Sequence, residues 1–426
     1  MLDLKRIRFE TEAVRDQLAK RGDPEIGAAI DALLQLDEDR RELIGNTEQL
    51  KALRNEASRQ IADLKTQGKD ASAVIDRMRD VADQISRGDE RLGTIESEME
   101  ELLLVVPNTP LPEVPAGDQS ANEIIRTWGE PLETAEWRKP HWELASNLGL
   151  IDLERGAKLS GSGFPVYLGA GARLARGLIS LMLDLHVEEH GYTEVAPPFL
   201  VTRGTMTGTA QLPKLAADAY RVESDDLWLI PTAEVPVTNL HAGEVLAPGE
   251  MPRHYVACTP CFRREAGAAG RETRGINRVH QFDKVELVRL ERPEDSAEAL
   301  EDLTRQAEAV LQRLGLAYRV TLLAAGDVAQ QSAKTYDLEV WAPGAGRWLE
   351  VSSCSNCTDY QARRANIRFR QERGAKPEFV HTLNGSALAL PRTMIALLEA
   401  YQSEDGAVDV PEALLPFVNF SRLEPV

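Results

Sequence analysis

No stretch of this 426-residue chain reaches 18 uninterrupted apolar residues, the length a helix needs to cross a bilayer. Its first residues, MLDLKRIRFETEAV, carry charge throughout and lack the apolar centre that a secretory leader requires. Neither membrane insertion nor secretion is expected, and the expected location is the cytoplasm. Cysteine is scarce: four residues in 426 exclude a disulfide framework and fit a reducing compartment. No G-x-x-x-x-G-K-[ST] occurs, so a nucleotide would have to be held without a P-loop. A basic balance is missing too. Lys and Arg number 49 against 68 Asp and Glu, a formal charge of -19, so binding a polyanion requires basic residues gathered locally.

The four cysteines fall as two C-x-x-C pairs, Cys258/Cys261 and Cys354/Cys357, which is the spacing of a four-cysteine zinc site. Each pair lies in or beside an extended apolar segment, HYVACTPCF and RWLEVSSCSN, where residues i and i+3 point to opposite faces of a strand. A zinc knuckle needs a tight turn, and neither Thr-Pro nor Ser-Asn supplies its usual glycine. Free thiols and no structural zinc are expected.

At roughly 150 residues per domain, the length suggests two or three domains. Hydrophobic residues make up 43% and charged residues 27%, the balance of a globular protein. Proline is absent from Ile30 to Leu104, where heptads are sustained instead. Leu36, Leu43, Leu50, Ala57 and Leu64 recur every seventh residue, and Met78, Ile85, Leu92 and Met99 interleave with Val81, Gly88, Ile95 and Leu102. This is a coiled-coil seam. A break at Thr66 to Asp70 divides it into two arms, which implies an antiparallel hairpin reaching roughly 50 Å at about 1.5 Å per residue. Residues 51 to 79 hold seven basic and four acidic side chains, whereas residues 31 to 50 hold two and six, and residues 80 to 103 two and eight. The charge reversal fits either a solvated helical face or an arm whose far end meets RNA phosphates. In the second case Arg54, Arg59, Lys65 and Arg77 are the candidate contacts.

The expected domains are therefore a helical hairpin over 1–106, a proline-rich linker over 107–122 (PNTPLPEVPAGDQSAN) and a third region over 123–426. In that region helices are predicted over 170–190, 294–314 and 391–402. Strands are predicted over 192–201, 227–231, 254–265, 280–291, 318–324, 336–341 and 347–353. Strands in excess of the helices between them indicate an antiparallel α+β domain and not a doubly wound sheet.

The richest stretch is CFRREAGAAGRETRGINRVHQFDKVE, Cys261 to Glu286. Read as strand, loop and strand, it places Cys261, Arg263 and Glu265 on one face and Arg264 on the other, with Phe282, Lys284, Glu286 and Val288 together on the second strand. Arg263 and Glu265 could form a cross-strand ion pair. They could also serve a nucleotide, since arginine forks onto phosphate and phenylalanine stacks on a base.

Phe262-Arg263-x-Glu265, a loop, and Arg278-x-x-x-Phe282 resemble motif 2 of the class II aminoacyl-tRNA synthetases. Gly191-Tyr192-x-x-Val195-x-x-Pro198 is similar to motif 1, and the run from Asn384 to Arg392 is similar to motif 3. Within the class, Thr232-Ala233-Glu234, TRGINRVHQFDKVE, and EVSSCSN followed by QARRANIRFR resemble the seryl enzymes. The N-terminal hairpin extends the likeness over essentially the whole chain.

The resemblance implies a two-step ligase: serine activated with ATP to seryl-adenylate, then transferred to the 3′ end of serine tRNA, and of selenocysteine tRNA where one is present. It implies nucleotide contacts from Arg263, Arg264, Glu265, Phe282, Glu350, Val351, Ser352, Ser353 and Arg392. Arg263 would meet the α-phosphate, Glu265 the adenine amino group, Phe282 the base and Arg392 the γ-phosphate. Glu350 and Ser353 would hold Mg²⁺ with ATP. Thr232, Ala233, Glu234, Glu286 and Ser386 would form the serine site. Arg271 and Arg274 would contact the acceptor stem, unless they are simple loop charges, and motif 1 would build a homodimer. A site that hydrogen-bonds a hydroxyl can reject alanine by roughly 10⁴. Threonine must be excluded by its methyl group.

Three departures from the family pattern stand out. Arg264 replaces the usual serine but is expected to face away from the nucleotide. Ala387 and Pro391 replace common glycines. The seven histidines are expected to be structural. Rival readings are a paralogue that loads a carrier protein, a non-catalytic coiled-coil RNA-binding protein and a zinc-dependent nucleic-acid binder. The long hairpin argues against the first, and intact Arg263, Glu265, Glu350 and Arg392 argue against the second.

Overall fold

The computed structural model describes residues 1–266 and 274–426. They form two compact units, one of Leu2–Ala19 with Asp23–Pro107 and the other chiefly Asn108–Val426. In the first, short helices α1 (Leu4–Phe9) and α2 (Thr11–Ala19) precede two long ones, α3 (Glu25–Thr66) and α4 (Ser72–Val105). Ion pairs Arg40–Glu96 (2.8 Å) and Lys51–Asp89 (2.9 Å) fix α3 and α4 as antiparallel, because the later residue of one meets the earlier residue of the other. Val81, Ile85, Ile95 and Met99 are buried in the seam. At Gly88 the helices pack tightly: a Cβ there would stand 2.8 Å from Thr47 Oγ1. Thr47 belongs to a second buried row, with Leu33, that the every-seventh-residue reading of this arm did not include. The base of the arm is tied to α1 by Arg8, whose Nε donates to the buried Asp37 at 2.6 Å.

The second unit is built on an eight-stranded sheet. In chain order its strands are β1 (Glu123–Trp128), β2 (Thr193–Glu194), β3 (Arg253–Phe262), β4 (Gln281–Glu291), β5 (Tyr318–Leu322), β6 (Lys334–Ala342), β7 (Arg347–Asn356) and β8 (His381–Ala389). The spatial order is β1-β5-β6-β7-β8-β4-β3-β2. Every pairing is antiparallel except that of β2 with β3. The helices used below are α5 (His141–Asn147), α6 (Gly169–Asp184), α7 (Ser296–Arg313), α8 (Tyr360–Ala365) and α9 (Leu390–Ala400). Leu300, Leu303 and Val310 of α7 and Met394 and Leu397 of α9 share one core with Val285 and Leu287 of β4, each such side chain stabilising the fold by about 1.5–3 kcal/mol on full burial. The α+β class with an N-terminal helical hairpin is as the sequence indicates.

Several boundaries differ from the sequence reading for local reasons. The strand expected over 192–201 is split into β2 and a short strand, Leu200–Thr202, because Pro197 and Pro198 have no N–H to donate. The strand expected to reach residue 265 ends at Phe262. Beyond it, Arg264 N–H turns to Asp218 O (2.8 Å), and Glu265 adopts φ +51°. Glu265 therefore does not share a strand face with Arg263. The segment 107–122 lies along the second unit: Asn108 Nδ2 donates to Cys357 O (2.8 Å), and Gly326 N–H donates to Gly117 O (2.8 Å).

Candidate active site

Strand alternation in β4 aims Phe282, Lys284 and Glu286 from one face into a cleft of about 670 Å³. At roughly 3.3 Å per residue, they cover about 13 Å of its floor. The walls bring together Thr232, Glu234, Arg263, Glu265, Glu350, Val351, Ser352, Ser353, Ser386 and Arg392. Two expected residues do not line it. Ala233 is fully buried in a small apolar cluster, and Arg264 is exposed with its guanidinium 5.9 Å from the Tyr220 ring.

At the Phe282 end, Arg263 stands over that ring with 5.3 Å between guanidinium carbon and centroid, and its Nε donates to Pro231 O at 3.3 Å. Arg263 N–H donates to His280 O (3.0 Å), which carries the pairing one residue past the end of β3. Glu265 turns back to accept from Arg278 Nη1 at 3.2 Å. The two ends of the motif 2 loop are therefore joined by a half-buried ion pair.

Glu350 and Ser353 are three residues apart, so a regular strand would send them to opposite faces. Here Asp337 pairs with Ser353, Leu338 with Ser352, and Glu339 with Glu350, which leaves Val351 as an extra residue. This bulge returns Glu350 to the face of Ser353. Ser353 hydrogen-bonds Asp337, whose carboxyl is held well above the usual range by burial and then by the charge of Glu350. Arg392 closes this corner, donating from Nη1 to Glu350 O at 2.7 Å, and its guanidinium lies 3.4 Å from the Glu350 carboxylate. Among the described residues no group of three His, Cys, Asp or Glu could hold a metal. One exposed carboxylate and one hydroxyl fit a cation that brings phosphate and water oxygens with it, which is how Mg²⁺ is usually bound.

The other end of the cleft is buried and charged. Lys284 Nζ lies 2.6 Å from Glu286 Oε2, both side chains below 10% exposure. Glu286 also accepts from Asn384 Nδ2 (3.3 Å) and Ser386 Oγ (3.2 Å). Ser386 keeps this position because β8 is bulged opposite Lys284 and Glu286, with Leu388 at φ +102°. Ala387 is fully buried, and Pro391 occupies the first turn of α9, where its missing N–H has no intrahelical partner to lose. Glu234 accepts from Gln361 Nε2 at 2.6 Å. Burial, then the charge of Glu286, pushes the Glu234 carboxyl up to about 7. Thr232 Oγ1 accepts the Glu234 N–H at 3.2 Å.

Lys284 and Asn384 line the cleft, and the buried Gln361 supports Glu234 from behind it; none of the three was singled out as a ligand. Lys284 was legible from strand alternation, whereas Gln361 sits on the short helix α8, which has no marked periodicity. Arg54, Arg59, Lys65 and Arg77 are exposed on α3 and α4, and Arg274 is exposed at the root of the loop. Arg271 lies outside the described residues. Cys258 is half-buried, and Cys261, Cys354 and Cys357 are buried. Burial pushes the thiols of Cys258 and Cys354 up to about 12.

Residues 220–401 match the tRNA synthetase class II core domain (G, H, P, S and T), and residues 1–110 match the seryl-tRNA synthetase N-terminal domain. The chain is 55% identical over 419 residues to a serine–tRNA ligase of Geobacillus kaustophilus, covering 98% of each. It is 54% identical over 419 residues to that of Thermomicrobium roseum, covering 98% of this chain and 93% of the relative. Among solved structures, seryl-tRNA synthetase from Pyrococcus horikoshii complexed with ATP matches with a TM-score of 0.95, 38% identity and 100% coverage of both chains. Cytoplasmic serine–tRNA ligase from Naegleria fowleri in complex with AMP matches with a TM-score of 0.89 and 28% identity, over 100% of this chain and 99% of that one. The likeness runs over both the helical hairpin and the antiparallel-sheet unit, essentially the full length of the chain, and the chain belongs to the seryl-tRNA synthetases of class II.

Proposed function

We propose that the cleft performs both steps of serine–tRNA ligation, with ATP at the Phe282 end and serine between Glu234, Glu286 and Ser386. The observation that carries this reading is the grouping of Arg263 and Arg392 with two buried carboxylates around one cavity. Arg263 would hold the α-phosphate, Arg392 the γ-phosphate, Glu265 the adenine amino group and Phe282 the base. Glu350 and Ser353 would hold Mg²⁺, which supplies charge neutralisation along the triphosphate when bound. The serine ammonium is assigned to Glu234 and Glu286. Lys284 already offsets one of these carboxylates, so the pocket favours one further cation. Thr232 and Ser386 offer polar partners to the hydroxyl.

The serine carboxylate attacks the α-phosphorus in line, pyrophosphate departs, and the two arginines stabilise the charge spreading over the phosphate oxygens. No side-chain base is needed for this step, because the nucleophile is already ionised. A ribose hydroxyl at the 3′ end of tRNA then displaces AMP from the adenylate. The basic end of the α3–α4 arm, with Arg54, Arg59, Lys65 and Arg77, is assigned to tRNA, and Arg274 to the acceptor stem. Transfer to a carrier protein is disfavoured by the N-terminal domain that residues 1–110 match. Among the described residues no helix is long and apolar enough to cross a membrane. The location we assign is the cytoplasm. We also assign a homodimer built on the motif 1 region around α6 and β2.

Of the twenty amino acids, serine alone is expected to support rapid ATP–pyrophosphate exchange, and Arg263→Ala should abolish it with an unchanged circular dichroism spectrum. A folded, active variant would show that the phosphate contact is misassigned. Deleting residues 30 to 104 should leave exchange largely intact while removing tRNA charging; parallel loss of both would give the arm a role in the catalytic unit. Sedimentation at micromolar concentration should give a dimer, and a monomer would refute that assignment. Because Glu234 titrates near 7 and its ionised form takes the ammonium, KM for serine should fall about tenfold between about pH 6 and 8, a slope that Glu234→Gln should flatten. By the same linkage the protonated carboxyl favours the folded, serine-free chain, and that contribution is lost as pH rises through about 7.

A further inference from the structure

Behind the cleft the chain buries a second polar cluster. His141, the first residue of α5, is 1% exposed, and Glu399 of α9 is fully buried. Glu399 Oε1 accepts the His141 backbone N–H at 2.8 Å and faces its Nδ1 at 3.1 Å, while Oε2 accepts the Ala345 N–H at 2.9 Å. His141 Nε2 accepts the backbone N–H of Ile276 at 3.3 Å. A backbone N–H can only donate, so Nε2 presents its lone pair and the ring proton sits on Nδ1, aimed at Glu399. Gly275 packs flat against the same ring. It has φ +68°, and a Cβ there would lie 2.1 Å from His141 Nε2.

Glu399 and Arg392 are seven residues apart on α9, about two turns, and so share one face. Arg392 Nε donates to Asn277 O at 3.5 Å. The helix thus grips consecutive residues of the motif 2 root twice, at Asn277 through Arg392 and at Ile276 through Glu399 and His141. The next residue, Arg278, holds Glu265 at 3.2 Å, and Ala345 belongs to the turn leading into β7, which carries Glu350. Losing the imidazole would leave the buried Ile276 N–H without its acceptor and free the segment to shift.

We propose that His141 is a positioning residue for the nucleotide. Held in one tautomer by Glu399, it fixes residues 275–278 against α9 and so sets the spacing of Arg278, Glu265 and Arg392 around ATP. The proposal rests on the reading of the cleft as an ATP site.

Exchange kinetics with the full-length chain test it. His141→Leu keeps bulk but loses both ring hydrogen bonds, and it should raise KM for ATP about tenfold while KM for serine stays within about twofold. His141→Gln, whose amide can donate to Glu399 and accept from Ile276, should recover most of that loss. If His141→Leu does not fold, Gly275→Ala displaces the ring from the loop side while leaving both His141 and Glu399 in the chain, and the same selective rise is expected. Unchanged KM for ATP in the folded variants, a parallel rise in KM for serine, or a Gln variant no better than Leu would overturn the positioning role. Absence of serine-dependent exchange in the unaltered chain would instead overturn the ATP-site reading.

Discussion

The chemistry of this chain depends on β4 keeping its register between β3 and β8. A slip of one residue would turn Phe282, Lys284 and Glu286 away from the cleft and put Val285 and Leu287 in their place. Pairing along both edges prevents this, since Phe282 lies opposite Cys261 and Glu286 lies opposite both Ala257 and Ser386. The cost of burying Lys284 beside Glu286 is offset by their contact and by the donors from Asn384 and Ser386. Glu234 adds a second carboxylate without a second lysine. That end of the cleft is therefore left with a surplus of negative charge, partly relieved by protonation of Glu234.

Long-period features were the most legible in the sequence. Heptads gave the arm and its turn, and strand alternation gave the faces of β3 and β4. Features that depend on the third dimension were not legible. His381–Ala389 contains Asn384 and Gly385, which discourage a strand, yet it is held extended by neighbours on both sides. Gly385 has little room for anything larger, since a Cβ would lie 2.9 Å from Cys354 Sγ. The pairing of Glu350 with Ser353 came from family resemblance alone, because their spacing argues against a shared face until the register shift at Val351 is known. Glu265 was placed on a strand that in fact ends earlier, and it reaches the cleft through a left-handed turn.

Histidine shows the same limit from another side. The imidazole of His141 is separated in sequence from each residue it hydrogen-bonds, Glu399 by 258 positions and Ile276 by 135. Nothing in its local sequence marks it. Its meaning arises only when α5, α9 and the root of the motif 2 loop meet, and then both ring nitrogens and both Glu399 oxygens have partners. Satisfaction of that kind makes a joint stiff, which suits the nucleotide-positioning role proposed for this segment.

The extra residue in β7 has a consequence for how the chain can vary. Shortening the strand by one at this point would restore a regular pleat and rotate the Glu350 carboxylate to the far side of the sheet, even though every residue type named in the cleft survived. What must be retained between Leu349 and Ser353 is thus a count as much as a composition, and a single-codon deletion there would cost more than most replacements of Val351.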